Sequence, residues 1–131
     1  MAFSDPLTLK NRSGTDRSFE TADNGNKPGS KRTDVGITSP EYGDLYIRHQ
    51  DIGPKGKTSK RHNVTFATGR LNALGVIEEG SFSASLNLPN SGVVTLNDAK
   101  DMLMSFIDMF ATPGTVALDD TAINKWLRNE I

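Results

Sequence analysis

The segment YIRHQDIGPKGKTSKRHNVTF, residues 46–66, decides the fold. On either side of the turn-forming run IGPKGKTS (52–59) the side chains alternate in character, the pattern of two antiparallel strands joined by a tight connection. Successive residues of a strand point to opposite faces, so each strand divides into two sets. Leu45, Ile47 and His49 oppose Tyr46, Arg48 and Gln50; His62, Val64, Phe66 and Thr68 oppose Arg61, Asn63, Thr65 and Ala67. Further along, Phe82, Ala84, Leu86 and Leu88 oppose Ser81, Ser83, Ser85 and Asn87. One face is apolar and needs a cover. The other carries bases, amides, hydroxyls and one aromatic ring, and acids are expected to be absent from the whole of it.

Working outward, strands are expected at Leu7–Asn11, Arg17–Thr21, Lys31–Thr38, Asp44–Asp51, Lys60–Thr68 and Ser81–Leu88, separated by turn clusters such as DNGNKPGS (23–30). At about residue 95 the period changes. Ala99, Met102, Leu103, Phe106, Ile107 and Phe110 recur at helical spacing, with Thr95 or Asn97 as N-cap and Pro113-Gly114 as the stop. A shorter second helix is expected after Asp119 or Asp120, with Ile123, Trp126 and Leu127 as its stripe. The fold class is therefore α+β in a single domain over 1–131, β-rich over 1–94 and helical over 95–131. Met104 and Met109 lie off the line of Met102, Phe106 and Phe110, so the first helix asks for two partners. The second partner is expected to be another copy, with Met102, Phe106, Ile107, Phe110 and Trp126 at the dimer interface.

Composition narrows the function. The chain has 131 residues, only 35% of them hydrophobic, a small allowance for one core and none for a second. The absence of cysteine excludes disulfides and thiolate chemistry. No apolar run approaches the length of a bilayer span and the N-terminus lacks the pattern of a secretory signal, so no membrane role is expected. The formal charge of −1 hides an uneven distribution. Residues 48–61 hold five bases and one acid, whereas 98–131 hold three bases and six acids.

The chain is not expected to be an enzyme. No GxSxG, P-loop or HExxH occurs, and GPKGK (53–57) reads as a basic hairpin tip. Asp119-Asp120 serve a helix start. His49 and His62 fall on the apolar sets and read as hydrogen-bonded core histidines rather than metal ligands. No cofactor or small-molecule substrate is expected; calcium at a subunit contact would draw on Glu78-Glu79 with Asp51 or Asp34, which otherwise read as solvated turn carboxylates. The polar face is a different matter. A surface of Arg, Asn, Thr, Ser and Tyr side chains admits a polyanion, binds phosphates and supports unstacked bases, so single-stranded RNA is the expected partner. Tyr46, Arg48, Gln50, Lys60, Arg61, Asn63, Thr65, Ser83, Ser85 and Asn87 are the candidate RNA-binding residues.

The order of strands and helices, the segment 46–66, and MLMSFIDMF (102–110) ahead of a Trp-containing helix together resemble the coat protein of single-stranded RNA bacteriophages, nearest the branch of the Caulobacter phage. The resemblance implies an intertwined dimer with one ten-stranded sheet, helices outside, and the opposite sheet face over the genome in a quasi-equivalent (T=3) icosahedral virion assembled in the host cytoplasm. It implies that this face can also bind an operator hairpin and repress translation. It places Arg70–Gly80, with Gly75 at its centre, where the family has a loop that changes conformation around the symmetry axes. The alternative reading is a dimeric cytosolic RNA-binding regulator that builds no shell.

Overall fold

The computed structural model describes residues 3–11, 14–54, 58–109, 124–125 and 128. Six strands form one antiparallel sheet in chain order: β1 (Leu7–Lys10), β2 (Asp16–Ala22), β3 (Ser30–Asp34), β4 (Tyr42–Ile52), β5 (Ser59–Leu71) and β6 (Ile77–Pro89). A helix, α1 (Leu96–Asp108), follows. The N-terminal hairpin belongs to the same sheet. The sheet of one chain therefore has six strands among the described residues.

The alternation read from the sequence is realised in the register. Leu45 pairs with Phe66 and Phe66 with Phe82; Ile47 with Val64 and Val64 with Ala84; His49 with His62 and His62 with Leu86. These rows form the covered side. Phe19, Leu45, Ile47, Leu88 and Ala99 are its buried centre, with Leu7, Leu9, Val64, Leu86, Val94 and Leu103 packed around them. Phe19 meets Phe66 edge to face at a centroid distance of 6.2 Å, and the Arg17 guanidinium lies 4.9 Å from the Phe19 ring while its Nε donates to Asp34 at 2.8 Å.

α1 starts where expected. Thr95 is the N-cap, its hydroxyl accepting from the Asp98 amide while the Asp98 carboxylate accepts from the Thr95 amide, a reciprocal cap that also sets negative charge against the positive helix end. Ala99 is fully buried, so the helix touches the sheet through its smallest side chain. Asn124 and Lys125 are helical and the Arg128 amide donates to the Asn124 carbonyl. Phe110, Trp126 and the other stripe residues expected for a second helix lie outside the described residues.

The strands differ from expectation in two regions. β3 stops at Asp34 and not at Thr38, because the Asp34 carboxylate accepts from the Gly36 amide and its carbonyl from the Ile37 amide, turning the chain out of the sheet. In the other direction, β5 and β6 extend into the segment expected to be a long loop. Only residues 72–76 connect them. The Asn72 side-chain oxygen accepts from the amides of Leu74 and Val76, at 2.9 and 3.0 Å, and Gly75 adopts φ +77°, where a Cβ is strained. Gly69 signals close packing within β5, since a Cβ there would collide with the Tyr42 ring.

Candidate nucleic-acid interface

The side chains opposite the core form a grid. Tyr46, Thr65 and Ser83 make one row across β4, β5 and β6; Arg48, Asn63 and Ser85 the next; Gln50, Arg61 and Asn87 the third. Nine of the ten candidate RNA-binding residues thus share one face. The tenth, Lys60, does not. It is in register with Asp51 and Leu88, the row after His49, His62 and Leu86, and it borders a 440 Å³ cavity on the helix side with His62, Leu88, Thr95 and Leu96. Its parity in β5 is that of His62 and Val64, and side chains two apart share a face.

Within the grid the polar groups bond to one another. Arg61 Nε donates to Asn87 Oδ1 at 3.1 Å; Asn63 Nδ2 donates to Ser85 Oγ at 2.8 Å and to the Ala84 carbonyl at 3.3 Å. Thr65 Oγ1 donates to Asn63 Oδ1 at 3.0 Å and lies 2.7 Å from Ser83 Oγ. Such a lattice fixes side-chain orientation before a ligand arrives, lowering the ordering cost of binding. Arg48 is exposed beside it.

The face is not free of carboxylates along its whole length. Asp44, two residues before Tyr46, lies on it, buried, with the Thr33 hydroxyl donating at 2.9 Å and the Tyr46 hydroxyl at 3.3 Å, and Lys31 Nζ is 3.9 Å away. Glu79 lies on it as well and accepts from the Tyr42 hydroxyl. These groups, with Glu41, line a 510 Å³ depression at the end of the sheet next to the 72–76 turn. The expectation of an acid-free face therefore holds only for the three rows from Tyr46 to Gln50. Bases cluster at that end and acids at the other, so the field along the strands favours a polyanion over the grid. The hydrogen bond to Glu79 pushes the Tyr42 phenol up to about 12, since the neutral phenol is the donor. Burial, and then the Asp44 charge, raises Tyr46 as well.

Lys31 and Thr33 were not singled out in the sequence. Lys31 pairs with Tyr46 and Thr33 with Asp44, extending the polar face onto β3, and Lys31 Nζ lies 6.0 Å from the Tyr46 ring centroid. The same division of alternate residues, applied to SKRTD (30–34), would have found them.

The helix-side expectations divide similarly. Met102 and Phe106 remain 48% and 41% exposed and Ile107 is half-buried; Phe110 and Trp126 lie outside the described residues. Phe82, itself 55% exposed, faces Phe106 at 6.4 Å between centroids, and the two border an apolar groove of 390 Å³ with Leu86, Met102 and Leu103. This groove runs along β6, which is the last strand of the sheet. His49 and His62 meet through their Nδ1 atoms at 2.8 Å, with His62 fully buried, the arrangement of hydrogen-bonded core imidazoles. Glu78 and Glu79 sit at the turn end of β6 and Asp51 at the opposite end of β4, about 30 Å apart along the strands, so one chain cannot bring them together. Asp34 is engaged by Arg17. Among the described residues no three His, Asp or Glu side chains converge on a metal-sized site.

The architecture is shared with proteins that form particles. The fold matches that of the virus-like particle of Beihai levi-like virus 21 with a TM-score of 0.63, over 83% of this chain and 86% of that one, at 6% sequence identity. It matches the virus-like particle of bacteriophage AVE019 with a TM-score of 0.54, over 84% and 88%, at 12% identity. No family model and no curated protein sequence matches the chain. The likeness is one of fold, spanning more than four fifths of the chain in both cases.

Proposed function

We propose that the chain is the coat protein of a single-stranded RNA bacteriophage: two copies pair, dimers close into an icosahedral shell, and the polar grid faces the packaged RNA. The observation that carries this reading is the shared fold with two virus-like-particle proteins across nearly the full length of each. Among the described residues no strand pairs with the outer edge of β6, and that edge and the apolar groove beside it support pairing of two copies. Thirteen residues of strand edge and the exposed Phe82, Met102 and Phe106 are the features that isolated proteins cover or avoid. The grid supports the RNA side, through Arg48 and Arg61 as phosphate partners and Tyr46 as a stacking surface. The role is structural, and no step of covalent chemistry is assigned to any residue.

Expression of the chain alone in bacteria, followed by velocity sedimentation and nuclease treatment, tests the proposal. A fast-sedimenting species carrying nuclease-resistant RNA is expected. Dimers that bind RNA without protecting it would favour the regulator, and a chain that neither assembles nor binds RNA would refute both.

A further inference from the structure

The polar grid holds a fixed set of donatable hydrogens, which limits what can bind there. Asn63 Nδ2 lies 3.3 Å from the Ala84 carbonyl, which can only accept. This fixes the amide orientation, so the atom facing Thr65 is the oxygen. Both Asn63 amide hydrogens are then spent, on the Ala84 carbonyl and on Ser85 Oγ. A threonine hydroxyl has one hydrogen, and that of Thr65 goes to Asn63 Oδ1. The 2.7 Å contact between Thr65 and Ser83 must therefore be donated by Ser83. Donation runs one way, from Ser83 to Thr65 to Asn63 to β6. These three side chains, in adjacent rows at the centre of the face, keep unused lone pairs and have no hydrogen left to give.

Phosphate oxygens only accept. They are met by Arg48 and Arg61 beside the run, while its centre repels them. Resting on the reading of this face as the RNA surface, we propose that Asn63, Thr65 and Ser83 form an acceptor-only run at which a bound single strand must present a hydrogen-bond donor. That donor is a ribose 2′-hydroxyl or an amino or imino group of a base. The grid then sorts the parts of the strand by proton content: phosphates to the guanidinium groups, donors to the centre.

Fluorescence anisotropy with the assembled dimer tests this using four short oligomers: cytidine, 2′-deoxycytidine, 2′-O-methylcytidine and the riboside of pyrimidin-2-one, whose base has no donor. Loss of the donor in use should weaken binding about five- to tenfold, the size of a neutral hydrogen bond. Weakening with the two ribose-modified oligomers identifies the 2′-hydroxyl; weakening with the pyrimidinone oligomer identifies the base. The triple variant Asn63→Leu, Thr65→Val, Ser83→Ala removes all three acceptors and should erase that difference while leaving the salt slope intact. Equal affinity for all four oligomers, or a difference that the triple variant, folded by circular dichroism, leaves unchanged, overturns the inference. If Arg48→Glu with Arg61→Glu also binds every oligomer like the unaltered protein, the RNA-face reading itself has failed. If that variant loses affinity and the four oligomers bind alike, only the acceptor run is wrong.

Discussion

Converting both Arg48 and Arg61 to Glu should separate folding from RNA binding. Both side chains point away from the core; Arg48 is exposed, and the one hydrogen bond lost is from Arg61 Nε to Asn87, about 1 kcal/mol at most for a solvent-facing pair. Circular dichroism should be unchanged and the melting temperature lowered by only a few degrees. Binding is another matter. Two charge-assisted contacts of about 1.5–3 kcal/mol each vanish, so affinity for a single strand should fall at least a hundredfold, or about 3 kcal/mol. Each phosphate contact contributes about 0.7 to the slope of log K against log salt, so the slope should shrink by about 1.4. Anisotropy across a salt series reads both quantities at once. A variant with normal affinity and slope would show that the grid does not meet RNA, and would move attention to the basic sequence GPKGK (53–57).

Three further outcomes follow from the geometry. Phe106→Asp should leave the single chain folded, because Phe106 is already 41% exposed there, yet abolish the dimer through the cost of burying an unpaired charge, several kcal/mol; light scattering that still reports dimers would count against the groove as an interface. Glu79→Gln should shift one of the two tyrosine ionisations. Tyr42 is raised to about 12, so its hydrogen bond to Glu79 stabilises the fold fully below pH 10 and is lost as pH rises through 12; ultraviolet titration should show one midpoint near 12 that falls towards 10 in the variant, and two midpoints near 10 in the unaltered protein would contradict the contact. Gly75→Pro removes the amide that donates to the Asn72 carbonyl and forbids φ +77°, so it should disturb the 72–76 turn alone, leaving dimers intact and altering particles; unchanged particles would deny the turn a role in assembly.

Much of this arrangement is legible in the sequence. The alternation through 45–50, 61–68 and 81–88 gave the two faces of β4, β5 and β6, because an antiparallel sheet with one covered side writes its faces into the sequence with period two. The Thr95 cap and the helix after it were equally plain, since the capping box is a local signal. The misplacement of Lys60 came from treating a basic run as one patch, where parity with His62 puts it on the helix side. Asp44 escapes a division of β4 that begins at Leu45, and Glu79 escapes one that begins β6 at Ser81. That loop was overestimated for a physical reason. Gly69 and Gly80 suggest flexible chain, but both are strand residues, and Gly69 is there to admit the Tyr42 ring, a tertiary contact with no local sequence signature. The end of β3 depended on the Asp34 side chain choosing the Gly36 amide over the continuing ladder, although Val35 and Ile37 suit a strand.

The central claim concerns which way the sheet faces in an assembly, and an electron cryomicroscopy reconstruction of particles formed by the chain alone tests it most directly. The account predicts a closed icosahedral shell, two copies joined beside β6, α1 on the outside, and RNA density against the rows of Tyr46, Arg48 and Gln50. A shell with α1 turned inward and the grid facing solvent, or protein that remains in discrete dimers, would contradict it.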